Sequence, residues 1–511
     1  MVLVQRGSAP PRVRGMGHED RFMSRRLTMI DLFAGAGGLS LGLEAAGFRP
    51  VLAVERSPMA AETYFRNFID RDSNGWLRHL ACPLPNQMRA GLAVAPTAEV
   101  LAERATLLDL ARPGELDLLA GGPPCQGFSV AGQRDPNDRR NKLPLEFLQF
   151  VELLRPRAVL VENVVGFGIS FSPRPEDAAL EQLRQALSAR GYLAQILEVN
   201  AVNFGVAQDR PRIMIAAVRR DLLDGDVLRS QEDRANQRWS SARLELEPPL
   251  LAPQGEVRPV RTVREAIDDL MGHDYTVASP DDYPRDLSFA RDLRLSVGYP
   301  RLVGLSDGDP LPGPPNHEMR RHSPRTTFRF QVRHALARQG VTADVFYLGG
   351  YRTREMLVAV LGRVDLPLHD EDGMEITGPD GPVGHTAEDL AREVLKLATW
   401  KHSQRVLAAG LPSRTVLTLP DDLIHYRAPR ILTVREAARI QSFPDAFRFF
   451  SKVTTGGQMR RSEVPQYSQV GNAVPPLLAV AVGRHLQRVI HQLGERGARS
   501  TDPETYAHLA G

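Results

Sequence analysis

Leu27-Thr28-Met29-Ile30-Asp31-Leu32-Phe33-Ala34-Gly35-Ala36-Gly37-Gly38 is the stretch on which the reading of the fold turns. Its first seven residues form an apolar run interrupted by Thr28 and Asp31, a length that suits a buried strand. Glycines follow at 35, 37 and 38, letting the chain turn sharply into a helix while its backbone amides stay open to a ligand. Leu39–Ala46 has helical character. Outward from there, Val51–Val54 reads as a second strand that ends at Glu55, and Pro58–Phe68 as a second helix. Leu116–Ala120, Ala158–Val161 and Ile213–Val218 are further short apolar runs between helical segments. Strands alternating with helices predict an α/β fold, a doubly wound and mostly parallel sheet with helices on both faces.

Beyond Arg220 the alternation fades. Residues 221–428 are richer in Pro, Gly, Asp and Arg, with turn signals such as Asp307-Gly308-Asp309-Pro310, so a second, irregular domain is expected there. Helical patterning returns at Thr433–Gln441 and Pro476–Leu486. At 511 residues the chain has room for two or three domains, and 42% hydrophobic with 24% charged residues excludes a disordered, fibrous or coiled-coil protein. No apolar run approaches the roughly 20 residues of a membrane-spanning helix. The N-terminal arginines are not followed by an apolar segment, so no secretory signal and a cytoplasmic setting are expected. Cys82 and Cys125 are the sole cysteines, which leaves no disulfide framework and no all-cysteine zinc site. The net charge is only +3, and lysine occurs only at 142, 396, 401 and 452. An arginine-dominated cation set suits phosphates and guanine edges, and codon usage explains it equally well.

Three loops carry candidate chemistry. A dinucleotide fingerprint would place a third glycine at position 40, where Ser40 stands, so the turn 33–38 alone is a weak signal. Glu55, at the end of the next strand, strengthens it, because a carboxylate there can accept both hydroxyls of a ribose. Gly121-Gly122-Pro123-Pro124-Cys125-Gln126-Gly127-Phe128-Ser129 follows the strand at 116–120 and reads as a rigid, non-helical loop. A lone cysteine is usually a small buried hydrophobe, but in this loop Cys125 is placed to act as a nucleophile. Cys82 lies in a featureless segment and reads as inert. Glu162 closes another buried strand, where it is either a structural ion-pair partner or a proton donor in the same cleft. Gln208, Arg210 and Arg212 alternate before the strand at 213–218, so two cations can orient Glu162 or bind a phosphate.

Taken in order, these elements resemble the cytosine-C5 DNA methyltransferases. Asp31–Leu39 is similar to the family's first motif, which binds S-adenosylmethionine; Pro123–Ser129 resembles the nucleophile motif, and Glu162-Asn163-Val164 the Glu-Asn-Val motif. Gln208-Asp209-Arg210-Pro211-Arg212 fits Gln-x-Arg-x-Arg. Leu432–Pro444 resembles the motif after the target-recognition region, and Gln469–Pro476 the motif that returns to the cofactor site. The resemblance covers roughly 27–220 and 429–490.

The resemblance implies transfer of a methyl group from S-adenosylmethionine to C5 of a cytosine flipped out of double-stranded DNA. It implies Cys125 as the thiolate that adds to C6, Glu162 as the group at N3, and Arg212 with Arg210 as supports. For the cofactor it implies Phe33, Gly35, Gly37 and Gly38 at the methionine end, Glu55 at the ribose, Asp109 at the adenine, and Leu143, Asn472 and Val474 around them. No metal is implied. The implied organisation is a basic arm (1–26), a catalytic domain (27–220), a target-recognition domain (221–428), a return to the catalytic domain (429–494) and a tail (495–511). Expected partners are DNA and, within a restriction–modification system, a cognate restriction endonuclease; acting alone is the other option. A monomer without membrane contact is expected. An RNA methyltransferase of the same fold, a silent DNA-binding relative and a nicotinamide oxidoreductase are the rival readings. They are disfavoured by the long block 221–428, by the full set of chemical residues, and by Ser40 with the Pro-Cys-Gln loop, respectively.

Overall fold

Both faces of the strand Leu27–Leu32 (β1) are apolar because both are covered. In the computed structural model, which describes residues 26–70, 73–124, 142–168, 179–271, 315–341, 344–350, 353–401, 404–457, 459 and 462–499, Leu27 and Met29 enter one hydrophobic cluster and Ile30 and Leu32 another. The basic arm and Cys125 lie outside the described residues. The same period of two recurs in β5 (Ala158–Val164) and β7 (Pro211–Arg219), as the pleat requires.

Eight strands form the sheet in the order β3-β2-β1-β4-β5-β7-β6-β8, where β2 is Phe48–Val54, β3 Leu92–Ala93, β4 Leu118–Gly121, β6 Tyr192–Asn200 and β8 Trp239–Ser240. Strand β7 runs antiparallel to both neighbours, and the remaining pairs are parallel. The expected doubly wound, mostly parallel sheet is thus what forms. Strands β3, β6 and β8 lie outside the expected set. Gln195 and Glu198 break the apolar run of β6, although Gln195 is buried, so its strand character shows only once β7 pairs along it.

Helix α1 (Gly38–Ala45) covers the first face together with the helix Pro476–Arg499, while the helices Leu143–Leu154 and Ala179–Ala189 cover the second. The last helix runs past Gly494, so the first residues of the expected tail are helical. No helix among the described residues is long and apolar enough to cross a membrane. The described residues of 221–428 contribute to more than one core. Leu223, Trp239, Val263, Ile267, Leu407 and Val416 join the cluster of the large sheet. The helices Pro324–Arg338, Arg354–Leu361 and Ala387–Leu397 enclose a separate one around Phe328, Val332, Phe346, Leu357 and Leu390.

Two features of the first face have measurable consequences. A Cβ added to Gly42 would stand 2.4 Å from both the Pro476 carbonyl oxygen and the Ala479 Cβ, so α1 and the last helix meet nearly backbone to backbone. In an open helix Gly→Ala stabilises by about 1 kcal/mol. Here Gly42→Ala is expected to destabilise by roughly 1–3 kcal/mol, since the opposing atom is backbone and cannot swing away. Urea unfolding decides the sign, and a gain in stability would refute the contact.

Asp31 is fully buried in β1; it accepts a 2.6 Å hydrogen bond from the Ser40 hydroxyl, which accepts one from Tyr64 of α2 (Pro58–Phe68) at 3.2 Å. Burial raises its pKa from 3.8 to about 7 against the pull of Ser40, with Glu55 adding to the rise. The folded state therefore holds this proton where the unfolded chain has lost it. Stability is full below pH 4 and declines as pH rises to 7, by about 4 kcal/mol as an upper bound. Asp31→Asn should flatten that decline, gaining on the wild type in unfolding free energy between pH 5 and pH 8. Parallel pH profiles for the two proteins would contradict the assignment.

Candidate active site

Ligands of open α/β sheets sit beyond the C-terminal strand ends where the winding direction reverses. Here β1 lies between β2 and β4, and the turn after it opens on that edge. Phe33 is in the left-handed region at φ 60°, unusual for a non-glycine and a form of strain that collects at functional turns. A Cβ on Gly35 would meet nothing within 4 Å, so the turn faces open space there. At Gly38 the opposite holds: a Cβ would lie 2.4 Å from the Val474 carbonyl oxygen. The last motif thus closes directly on the first.

Glu55 ends β2 beside this space. Its Oε2 accepts the Gly35 N–H at 2.9 Å and its Oε1 the Ser57 N–H at 2.7 Å. Burial pushes its pKa up, and the amide donors oppose the shift by favouring the charged form. A carboxylate held this way retains lone pairs for two vicinal hydroxyls.

On the other side of β1, Gly121 ends β4 and Gly122-Pro123-Pro124 leads toward Cys125. Asn163 Nδ2 donates to the Pro123 carbonyl at 3.0 Å, tying the loop to β5. Glu162, the preceding residue, lies against Gly122, where a Cβ would come within 3.2 Å of its Oε2. Its Oε1 pairs with Arg212 Nε at 2.9 Å, and both side chains are nearly buried. Antiparallel pairing sets this contact, because Val164 and Arg212 are register partners and Glu162 is one diagonal step away. Glu162 and Arg212 are thus paired beside Gly122, where the chain leads toward Cys125.

Arg210 does something different. Its guanidinium donates to the backbone carbonyls of Val416 (3.1 Å), Gly471 (2.7 Å) and Ala473 (3.1 Å), not to the Glu162 carboxylate. Gln208 accepts the Val416 N–H at 2.9 Å and donates to Gln441, whose amide donates in turn to the Val470 carbonyl. These groups are buried, so the three late segments are fastened together by buried hydrogen bonds. In the sequence Gln441 stands only as part of the Leu432–Pro444 motif and Val416 is not singled out, and no local pattern marks their partnership with Gln208.

The structure does not bring Asp109 to the cleft. It lies near the end of the helix Arg104–Leu110, which runs back from the active edge before β4, and it is mostly exposed, 4.0 Å from Arg89. The loop that does follow β3 beside Glu55 carries Thr97, whose hydroxyl donates to Glu146. Leu143 begins the helix that bears Glu146, so it borders this wall. Asn472 is exposed at the end of the helix Gln466–Asn472, and Val474 is buried against the glycine turn.

A family model for C-5 cytosine-specific DNA methylases matches residues 27–76, 101–283 and 377–488. Among curated relatives, the Type II methyltransferase M.AgeI of Thalassovita gelatinovora is 30% identical, with 90% of this chain and 99% of that protein aligned. M.DdeI of Desulfomicrobium norvegicum is 26% identical over 90% of this chain and 88% of its own. Mouse DNA (cytosine-5)-methyltransferase 1 is 29% identical over 90% of this chain but 28% of its own length. A crystal structure described as a DNA modification methyltransferase encoded within an E. coli prophage superposes with a TM-score of 0.53 at 20% identity, covering 91% of this chain and 99% of that one, which speaks for the fold. With the family match spanning most of the chain, the chain belongs to the C-5 cytosine-specific DNA methylase family and is a DNA cytosine-5 methyltransferase.

Proposed function

We propose that the enzyme takes its methyl group from S-adenosylmethionine and passes it to a flipped-out cytosine through a covalent bond between Cys125 and C6. The observation that carries this reading is the Glu162–Arg212 pair, 2.9 Å apart and packed on Gly122 at the entrance to the Cys125 loop. One strand away, Gly35 and Glu55 enclose the open space that fits a nucleoside with a charged tail. The cofactor supplies an electrophilic methyl group when bound.

The chain's own residues do the rest. The Cys125 thiolate adds to C6, forming an S–C6 bond and displacing the ring's π electrons toward C5 and N3. Glu162 donates a proton or hydrogen bond at N3, which lowers the cost of the charge that develops there. Arg212 fixes the Glu162 carboxylate in place through its guanidinium, so no reorganisation is needed during the reaction. After C5 is methylated, its proton leaves to a base, the S–C6 bond breaks to regenerate the thiolate, and any proton taken at N3 returns to Glu162. A stacked cytosine offers C6 no such approach, so the base must leave the duplex. Asn163 and the two prolines hold the loop rigid for this attack. Arg210 acts as a positioning residue that keeps the Asn472–Val474 segment closed over the cofactor space. Residues 221–428 supply sequence choice, and double-stranded DNA is the substrate of a monomer in the cytoplasm. A cognate restriction endonuclease is the companion expected from the Type II relatives.

Two measurements test this reading. Glu55→Ala removes the acceptor for the ribose hydroxyls, and S-adenosylmethionine binding by calorimetry should weaken about tenfold or more; unchanged affinity would take Glu55 out of the site. Cys125→Ala should abolish methyl transfer while DNA and cofactor binding persist. With 5-fluorocytosine at the target, wild-type protein should form a denaturant-resistant adduct, since fluorine cannot leave C5 as a proton, and Cys125→Ala should form none. Methylation by Cys125→Ala at the wild-type rate would sink the covalent mechanism.

A further inference from the structure

A recess of about 270 Å³ lies in the block between the two catalytic segments, remote in sequence from every residue of the cleft. Arg320, Arg321, Arg329 and Lys401 line it, with Asp421 as the one carboxylate among the described lining residues. Asp421 is shared between Arg320, at 3.5 Å, and Lys401, so one negative charge faces four positive ones. Ser323 and Thr326, also in the lining, stand at the N-terminus of the helix Pro324–Arg338, whose dipole adds positive potential. Gln404 is 1% exposed in the same wall and its Oε1 has no hydrogen-bond partner, so a half-turn of the amide presents its NH₂ group to an anion. Trp400, next to Lys401, is 72% exposed, an amphipathic indole open to a partner on that side.

We propose that this recess binds a backbone phosphate of the DNA duplex, with Trp400 packing on the adjoining sugar, and so positions the duplex without reading its sequence. Excess cations in a concave site suit a phosphodiester, and arginine forks with hydroxyl donors match its oxygens. The exposed tryptophan favours a polymer that continues past the recess over a free anion. The inference rests on the reading of double-stranded DNA as substrate.

The full-length enzyme is titrated with a duplex carrying its methylation site, and with a scrambled duplex, at several salt concentrations. Arg321→Ala/Lys401→Ala should lower the slope of log affinity against log salt by about 1 to 2, weakening both duplexes by a similar factor. Asp421→Asn should do the reverse and tighten both, an outcome that a purely structural role for these residues would not give. In steady state the double variant should raise KM for DNA and leave kcat within about twofold. An unchanged salt slope overturns the proposal, as does a loss confined to one duplex, which would mean base reading. Inorganic phosphate that raises the melting temperature of the wild type but not of the double variant, with DNA affinity equal in the two, would also overturn it in favour of a free-anion site. If the wild type methylates DNA and these variants match it, only this inference fails; wild-type protein that binds no duplex removes the substrate reading beneath it.

Discussion

Gly38 and Val474 touch without a side chain between them, and the active edge of the sheet depends on that contact. The glycine turn alone is a half-open cradle. It becomes a cleft only because the last motif, after the long excursion through 221–428, returns and lays its backbone across the start of α1. Gly42 extends the same close approach one turn further, where α1 crosses the final helix. Side chains at these positions would hold the two elements apart, and the apolar surfaces of Leu39, Leu43, Leu478 and Val482 would lose their mutual burial.

Once that return is made, buried polar groups lock it. Arg210 binds three backbone carbonyls, and Gln208 with Gln441 reaches a fourth at Val470. Placing a guanidinium in the interior costs several kcal/mol of solvation, which the contacts of Nη1 and Nη2 offset, while Nε has no hydrogen-bond partner among the described residues. The arrangement yields specificity of assembly: an apolar residue could fill the volume but could not select those carbonyls. Arg212, two residues on, spends its charge on Glu162 instead. Two arginines of one short motif therefore serve separate ends, one closing the fold and the other holding the Glu162 carboxylate.

The outer helices around Phe328, Phe346 and Leu390 have their own core and do not share the large sheet. The two ends of the block behave otherwise: Val263, Ile267, Leu407 and Val416 are built into the catalytic core. Arg439 ties one of them down, pairing with Asp269 at 2.6 Å and with Asp445 at 2.6 Å.

The sequence by itself determined the sheet and the glycine turn, and it resembles the family in its motifs, because each depends on a period, a turn or a motif a few residues long. Strands β1, β4, β5 and β7 were legible as apolar runs, and Glu55 and Glu162 as carboxylates at strand ends. Strand β6 was not, since Gln195 and Glu198 interrupt its run and only pairing with β7 identifies it. Asp109 shows the limit of matching a weak segment: its spacing suited an adenine contact, but its helix carries it toward the opposite edge of the sheet. The division of labour between Arg210 and Arg212, the recess at Arg329 and Lys401, and the partnership of Gln208 with Gln441 were decided by tertiary structure alone. Their partners lie far away in the chain, and a hydrogen bond between distant segments leaves no local pattern to read.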